Sequence, residues 1–308
     1  MKKFKGVFYA VISAISFGLS PILIAISYQM GNNSMMMAFV RNLLVLPFLF
    51  FYIKFRRISL TITKDQLFKL IAMNVFGTCL SLTVLYISYN YIPVSLATSI
   101  HFIYPSIVAV LSVIIFKEYM SGLRKLAVAS SLIGIALFID FKAGSSNFFL
   151  GISLALVSGM AYAFYIIFMA KSGVLKLENI VILYYSCLIS AIFLGGLTLA
   201  FDKLVIAEIA LEGWALIFLI SIMLTFLGTM FTQLAITNLG ATRTSVLATL
   251  EPITTIVLGV TLFDEKIGLI KLIACFMILL AVLLLALDQR KMAKIRAKNI
   301  EKYEDIIA

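Results

Sequence analysis

Three ionisable side chains, Arg41, His101 and Glu251, lie well inside long apolar runs of the sequence. A charge in such surroundings is costly, so each side chain is expected to face a cavity or a partner. For Glu251 two interpretations stay open. It could be a protonatable carboxylate that exchanges a proton for a cationic or zwitterionic substrate. Alternatively, it could be a structural carboxylate held by nearby hydroxyls such as Thr249, Thr254 or Thr255.

His101 and Arg41 also have two interpretations each. His101, with Thr98 one turn before and Tyr104 one turn after, could contact a proton or a substrate, or it could be a hydrogen-bonded structural histidine. Arg41 could hold a substrate carboxylate through its bidentate fork. Alternatively, it could bond backbone carbonyls and order the ends of helices.

Signals for metals and enzymes are weak in this sequence. Cys79, Cys187 and Cys275 each lie in an apolar run without metal-ligand spacing, which indicates small buried hydrophobic residues. No metal or cofactor is predicted. The single His, with no Gly-x-Ser-x-Gly elbow, paired Asp cluster or nucleotide loop, argues against an enzyme.

The elements that must position these residues are membrane helices. Of 308 residues, 63% are apolar and 13% are charged, and the mean hydropathy is +1.11, which is typical of an all-α integral membrane protein. Ten apolar segments approach the roughly 20 residues that cross about 30 Å of hydrocarbon. They are Gly6 to Tyr28, Ser34 to Phe55, Leu67 to Ser88, Val94 to Phe116, Leu123 to Ile139, Phe148 to Ala170, Asn179 to Ala200, Gly213 to Ala235, Thr244 to Phe263 and Ile267 to Leu287.

The distribution of basic residues predicts the orientation. With the N-terminus inside, the inner segments hold 20 Lys or Arg residues and the outer loops hold 4, so both termini are expected in the cytoplasm and the chain in the cytoplasmic membrane. This topology explains the net charge of +11 without a nucleic-acid partner. The basic tail, residues 288–308, is either a surface helix that contacts membrane lipids or a solvated polar segment.

An internal repeat organises the chain. A shift of 147 residues places Pro105 on Pro252, Phe116 on Phe263 and Glu118 on Glu265. We therefore predict a duplicated five-helix unit, with repeats at residues 1–140 and 148–287. Because five is odd, the second repeat must enter the membrane from the opposite side, which gives the inverted repeats from which alternating access arises.

A stripe of small residues also repeats, at a shift of 145. Each stripe permits two helices to approach closely in lipid. The stripes are Gly6, Ala10, Ala14 and Gly18 in the first helix, and Gly151, Ala155, Gly159 and Ala163 in the sixth.

The repeat also predicts further site residues. It places Tyr104 opposite Glu251 and Tyr86 opposite Gln233. Candidate cavity residues, with aromatic packing as the alternative for each Tyr, are Tyr86, Tyr104, Gln233, Tyr162, Tyr165 and Asn74. Pro105 and Pro252 lie inside predicted helices, where each frees a backbone carbonyl, and they indicate broken or gating helices.

The sequence resembles the drug/metabolite transporter superfamily, in particular its EamA-like ten-helix transporters. The resemblance rests on Asn90 to Pro105, Glu118, Leu250-Glu251-Pro252 through Glu265, and Arg41 in the second helix. It implies a carrier of small metabolites, amino acids or drugs, passive or proton-linked, and more often an exporter than an importer. His101 is not part of the family pattern. An intramembrane enzyme and a non-transporting membrane subunit are the alternatives.

Overall fold

The computed structural model describes residues 2–116, 120–138, 146–239, 247, 250–263, 268–270 and 272–288, and the regular secondary structure of these residues is helical. The helices are α1 (Lys2–Gln29), α2 (Ser34–Phe55), α3 (Lys64–Ser88), α4 (Val94–His101), α5 (Tyr104–Phe116), α6 (Gly122–Phe138), α7 (Ser146–Lys171), α8 (Asn179–Ala200), α9 (211–239), α10 (Leu250–Phe263) and α11 (Leu272–Asp288).

Seven spans within the described ranges are long and apolar enough to cross a membrane. They are Lys5–Gln29, Ser34–Phe55, Lys64–Ser88, Val94–Ile115, Asn147–Met169, Asn179–Ala200 and Leu211–Thr232. The other three predicted spans overlap the shorter helices α6, α10 and α11. Parts of those three spans lie outside the described residues. The described part of the chain is therefore that of a helical, multi-pass membrane protein, and the number ten stays a prediction.

Three of these spans contain an irregular segment. π-Helical turns occupy Asn74–Cys79 within α3 and Ser221–Gly228 within α9, and their first residues are 147 positions apart. The predicted fourth helix is interrupted at Phe102 and Ile103, between α4 and α5. The cause is Pro105, which has no N–H for the carbonyl four residues earlier and whose ring crowds that carbonyl.

The helices of the two halves of the chain pack against each other in matching pairs. In the first half, α1 packs against α9 and α10 of the second half. In the second half, α7 packs against α3, α4 and α5 of the first. The largest fully buried side chains lie on helices of both halves, among them Ile24, Met37, Ile100, Ile217 and Ile278. One core therefore joins the halves.

The helices α2 and α8 run antiparallel in contact. At the start of α2, Asn33 donates through Nδ2 to the carbonyl of Lys203, just beyond the end of α8, at 2.9 Å. Near the end of α2, the Phe50 ring lies 6.5 Å from the Tyr184 ring, near the start of α8.

The helices α6 and α11 are also antiparallel. Arg124, in the first turn of α6, binds Asp288 at the end of α11, with 2.8 Å between Nε and Oδ2. Further along, Ser130 donates to the carbonyl of Met277 at 2.8 Å. Ser121 completes the Asp288 site with a hydrogen bond from its hydroxyl to Oδ1.

Candidate functional site

Arg41 is a buried cation, with 8% of its surface exposed, in the first half of α2. Its Nη1 donates to the Tyr86 hydroxyl on α3, and its Nη2 donates to Thr225 Oγ1 at 3.3 Å. Its Nε has no hydrogen-bond partner. Among the described residues, no carboxylate lies within ion-pair distance of Arg41, and its hydrogen-bond partners are hydroxyls rather than backbone carbonyls. The charge is thus held by two neutral groups, one from each half of the chain.

His101 ends α4, directly before the interruption. Its Nδ1 lies 2.6 Å from Ser158 Oγ on α7, and the carbonyl of Ser158 accepts a hydrogen bond from Ser81 of α3 at 3.0 Å. Gly159 lets α7 approach α4 here, because a Cβ at that position would lie 2.9 Å from the carbonyl oxygen of His101. Pro105 cannot bond to that same carbonyl. One member of the small-residue stripe of α7, Gly159, thus packs directly on the interruption.

The rings of four neighbouring residues form an aromatic cluster: His101, Tyr104, Tyr162 and Tyr165. The ring centroids of Tyr104 and Tyr162 are 4.7 Å apart and edge-to-face. The His101 ring lies 5.6 Å from Tyr104 and 5.4 Å from Tyr162, and Tyr165 stacks on Tyr162 at 5.5 Å. Separations of this size are those of favourable aromatic pairs.

Glu251 is partly buried in the first turn of α10, as the structure describes that helix. The phenols of Tyr104 and Tyr162 lie within electrostatic range of its carboxylate. The hydroxyls of Thr254 and Thr255 donate to the carbonyls of Leu250 and Gly18, at 2.7 Å and 2.8 Å. These two threonines therefore bond backbone groups, whereas Thr249 lies outside the described residues.

Cys187 lies in the neighbourhood of Arg41, and Tyr162 lies in that of Glu251. Cys187 on α8 lies within electrostatic range of both Arg41 and Tyr165. Tyr165 stacks on Tyr162, whose phenol lies within electrostatic range of Glu251. Arg41 and Glu251 form no ion pair with each other.

The remaining predicted residues are less central or less completely described. Asn74 is fully buried, and its Nδ2 donates to the carbonyl of Leu70 at 2.7 Å within its own helix, while its Oδ1 has no partner. The side chains of Gln233 and Pro252 lie outside the described part of the structure. Within that part, no group of three or more His, Cys, Asp or Glu side chains could hold a metal ion.

Sequence reasoning missed three members of the site: Thr225, Ser158 and Cys187. Thr225 lies in the π-helical turn of α9, and a uniformly apolar run gives no sign of the register shift that such a turn introduces. Ser158 precedes Gly159 of the small-residue stripe, which is the one signal that could have identified it. The sequence indicates only a small buried hydrophobe at Cys187.

The fold and the site define a class: a multi-pass membrane protein in which polar and aromatic side chains from both halves of the chain are buried together. The EamA-like transporter family matches this chain twice, over residues 4–139 and 149–287. The chain therefore belongs to the EamA-like transporter family. The resemblance inferred from the sequence is confirmed, and membership in a transporter family argues against the enzyme alternative.

Individual relatives agree with this assignment. A protein of Synechocystis sp. named as an uncharacterized transporter is 28% identical over 228 residues, which cover 71% of this chain and 66% of that protein, slightly under two thirds of its length. A solved structure, described only as the crystal structure of a protein, superimposes with a TM-score of 0.65 over 92% of this chain and 98% of its own. At 12% sequence identity, that likeness concerns the fold alone.

Proposed function

We propose that this protein is a secondary transporter that moves small metabolites across the cytoplasmic membrane by alternating access. Its proposed substrates are amino acids, other cationic or zwitterionic compounds, and drugs, and the proposed direction is export. Besides family membership, one observation carries the proposal. Helices that correspond between the two halves lie against each other in antiparallel orientation.

This antiparallel packing supports two inverted five-helix repeats, at residues 1–140 and 148–287. The pairs α2 with α8 and α6 with α11 are the second and fifth predicted helices of each repeat. A two-fold axis in the membrane plane reverses the direction of a helix, so counterparts that meet at that axis run antiparallel. A two-fold axis along the membrane normal would leave them parallel. Ser130 and Met277, which are in contact, are themselves 147 residues apart, so their contact lies close to the proposed axis.

The other contacts between the halves also occur in exchanged pairs. The contact of α1 with α9 and α10 has its counterpart in the contact of α7 with α3, α4 and α5. The two π-helical turns are related by the same shift of 147 residues. Such duplication is expected when one five-helix unit is copied and inverted. In alternating access, one repeat would then rock against the other around a central site.

Arg41, His101 and Glu251 form the proposed binding site together with neighbouring aromatic and amide side chains. These neighbours are Tyr86, Tyr104, Tyr162, Tyr165, Gln233 and Asn74. Glu251 would take up a proton when a cationic or zwitterionic substrate leaves, and so couple export to proton entry. Pro105 and Pro252, one in each repeat, would permit the gating helices to move.

The decisive experiment measures flux with purified protein in liposomes. A labelled amino acid and a labelled cationic compound are supplied with and without a pH gradient. We expect Glu251→Gln to abolish the flux or to remove its dependence on the gradient, while expression is unchanged. Glu212→Gln is the matched control, because Glu212 is an exposed residue in the first turn of α9.

Two results would contradict the proposal in different ways. Normal pH-dependent flux in Glu251→Gln would rule out the proposed proton site and leave transport intact. Failure of the wild-type protein to move any compound of the panel, under either gradient, would count against transport itself.

A further inference from the structure

Arg41 carries a buried positive charge that no described carboxylate neutralises. We infer that Arg41, Tyr86 and Thr225 form an anion subsite that binds the carboxylate of the transported molecule. This inference rests on the proposed function, because it specifies the substrate that the same central site accepts. It also divides that site into an anion-binding end at Arg41 and an end at Glu251 that suits a cationic group.

The hydrogen bonds of the guanidinium leave one buried N–H donor unsatisfied. The group has five N–H donors in a planar fork. Nη1 is held by the Tyr86 hydroxyl, the bond from Nη2 to Thr225 is long at 3.3 Å, and Nε is buried without a partner. The Nε–H and one Nη2–H point from the same edge, which is an edge that grips both oxygens of a carboxylate.

The charge balance favours the same ligand. A buried cation needs a counter-ion, and hydroxyl groups can solvate a charge but cannot neutralise it. Of the described carboxylates, none pairs with Arg41. One guanidinium balances one negative charge, which suits a carboxylate, whereas a phosphate monoester dianion would need a second cation.

A purely structural role explains less of the site. Arg41 links Tyr86 of the first half to Thr225 of the second, so it could serve only to brace the halves. A neutral amide of similar length could make comparable bonds to two hydroxyls without the cost of a buried charge. The brace also leaves the unpartnered Nε unexplained. Thr225 belongs to α9, in the second half of the chain. An anion bound between Arg41 and Thr225 would therefore contact both halves of the carrier.

The experiment compares carboxylates with matched amides, using the full-length protein in lipid nanodiscs. The probes are acetate with acetamide, benzoate with benzamide, L-phenylalanine with L-phenylalaninamide, and inorganic phosphate. Binding is followed by thermal stability, because a ligand of the folded state raises Tm, and by the fluorescence of Trp214, the single Trp of the chain. We expect the wild type to bind at least one carboxylate about tenfold or more tightly than its amide, a preference equivalent to about 1.4 kcal/mol.

The variants separate the subsite from the brace. Arg41→Gln should remove the preference for carboxylates, and Arg41→Lys should keep part of it, because Lys supplies the charge but not the fork. Without ligand, Arg41→Gln should melt at the same temperature as the wild type or higher, since a buried, unpaired charge is gone. Arg56→Gln, at an exposed Arg that follows α2, should leave both quantities unchanged.

Each contrary outcome overturns the inference. It fails if every carboxylate binds no better than its amide to the wild type, a comparison that needs no variant. It also fails if Arg41→Gln keeps the preference for carboxylates; a lower melting temperature of that variant would then assign Arg41 to a brace between the halves. Phosphate binding that depends on Arg41 and exceeds that of all carboxylates would reassign the ligand.

The same probes distinguish this inference from the proposed function. Flux of the cationic L-phenylalaninamide without any carboxylate preference would leave transport standing and remove the subsite. Arg41-dependent binding of carboxylates, with no flux of any probe, would do the reverse.

Discussion

Replacing Gly18 by Ala tests whether α1 and α10 pack as closely as the structure has them beside Glu251. A Cβ at residue 18 would lie 2.6 Å from the carbonyl oxygen of Glu251 and 2.6 Å from Cβ of Thr254. Ordinary van der Waals contact begins at 3.4 Å, so the two helices would have to separate by about 0.8 Å. The Glu251 carbonyl belongs to the backbone, so no rotamer change can relieve that contact.

The expected loss of stability combines three effects. Overpacking at a well-packed contact costs about 1–3 kcal/mol. Separation of the helices also stretches the 2.8 Å hydrogen bond from Thr255 to the carbonyl of Gly18, and such a bond contributes about 0.5–1.5 kcal/mol. The higher helix propensity of Ala returns about 0.5–1 kcal/mol. The net destabilisation of Gly18→Ala is therefore about 2 kcal/mol.

Thermal unfolding and liposome flux are the two assays for this variant. We expect Gly18→Ala to lower Tm and to reduce flux, because the displacement of α10 changes the position of Glu251 relative to Tyr104 and Tyr162. Gly196→Ala is the matched control. A Cβ there would meet nothing within 4 Å, so its Tm should stay the same or rise slightly.

The reasoning is refuted if the two variants behave alike. Wild-type Tm and flux in Gly18→Ala would mean that α1 and α10 are further apart than the structure has them. Reduced flux with an unchanged Tm would mean that the glycine acts in the transport cycle rather than through static packing.

Two further predictions concern the ends of the helices. Asp288→Asn should lower the free energy of unfolding by about 1–3 kcal/mol, which is less than the full cost of breaking a buried pair because the Arg124 side chain is 16% exposed. Asp65→Asn, at the exposed pair with Lys69, should cost under about 1 kcal/mol. Equal changes in Tm for the two variants would contradict this prediction. A reporter in the loop at residues 264–266 should read external and one at residues 117–125 cytoplasmic, and a reading on the same side for both would remove the inverted repeat.

The helices were the most predictable part of the fold. The predicted segments Ser34 to Phe55 and Asn179 to Ala200 have the bounds of α2 and α8, because each apolar run begins and ends at polar or turn-forming residues. The break at Phe102 was not located in advance, although Pro105 indicated an irregular helix. Hydrophobicity along a run reports burial in lipid, and it carries no information on local helix geometry.

The partners of the buried ionisable groups were less predictable. The position of Arg41 in the sequence places it in α2, but does not give the direction in which its side chain points around the helix axis. Its contact with Thr225 depends on a π-helical turn in a distant helix, where one extra residue per turn changes which side chains face inward. The opposition of Tyr104 and Glu251 stays a prediction, and it requires only the repeat.

The predicted pairing of Tyr104 with Glu251 has a consequence for the energetics of the proposed transport cycle. If the two repeats had identical residues, the inward-open and outward-open conformations would be equivalent by symmetry, and the empty carrier would populate them equally. A phenol in one repeat opposite a carboxylate in the other removes that equivalence. The proposed carrier should therefore rest with its site facing one particular side of the membrane, and protonation of Glu251 should change how strong that bias is.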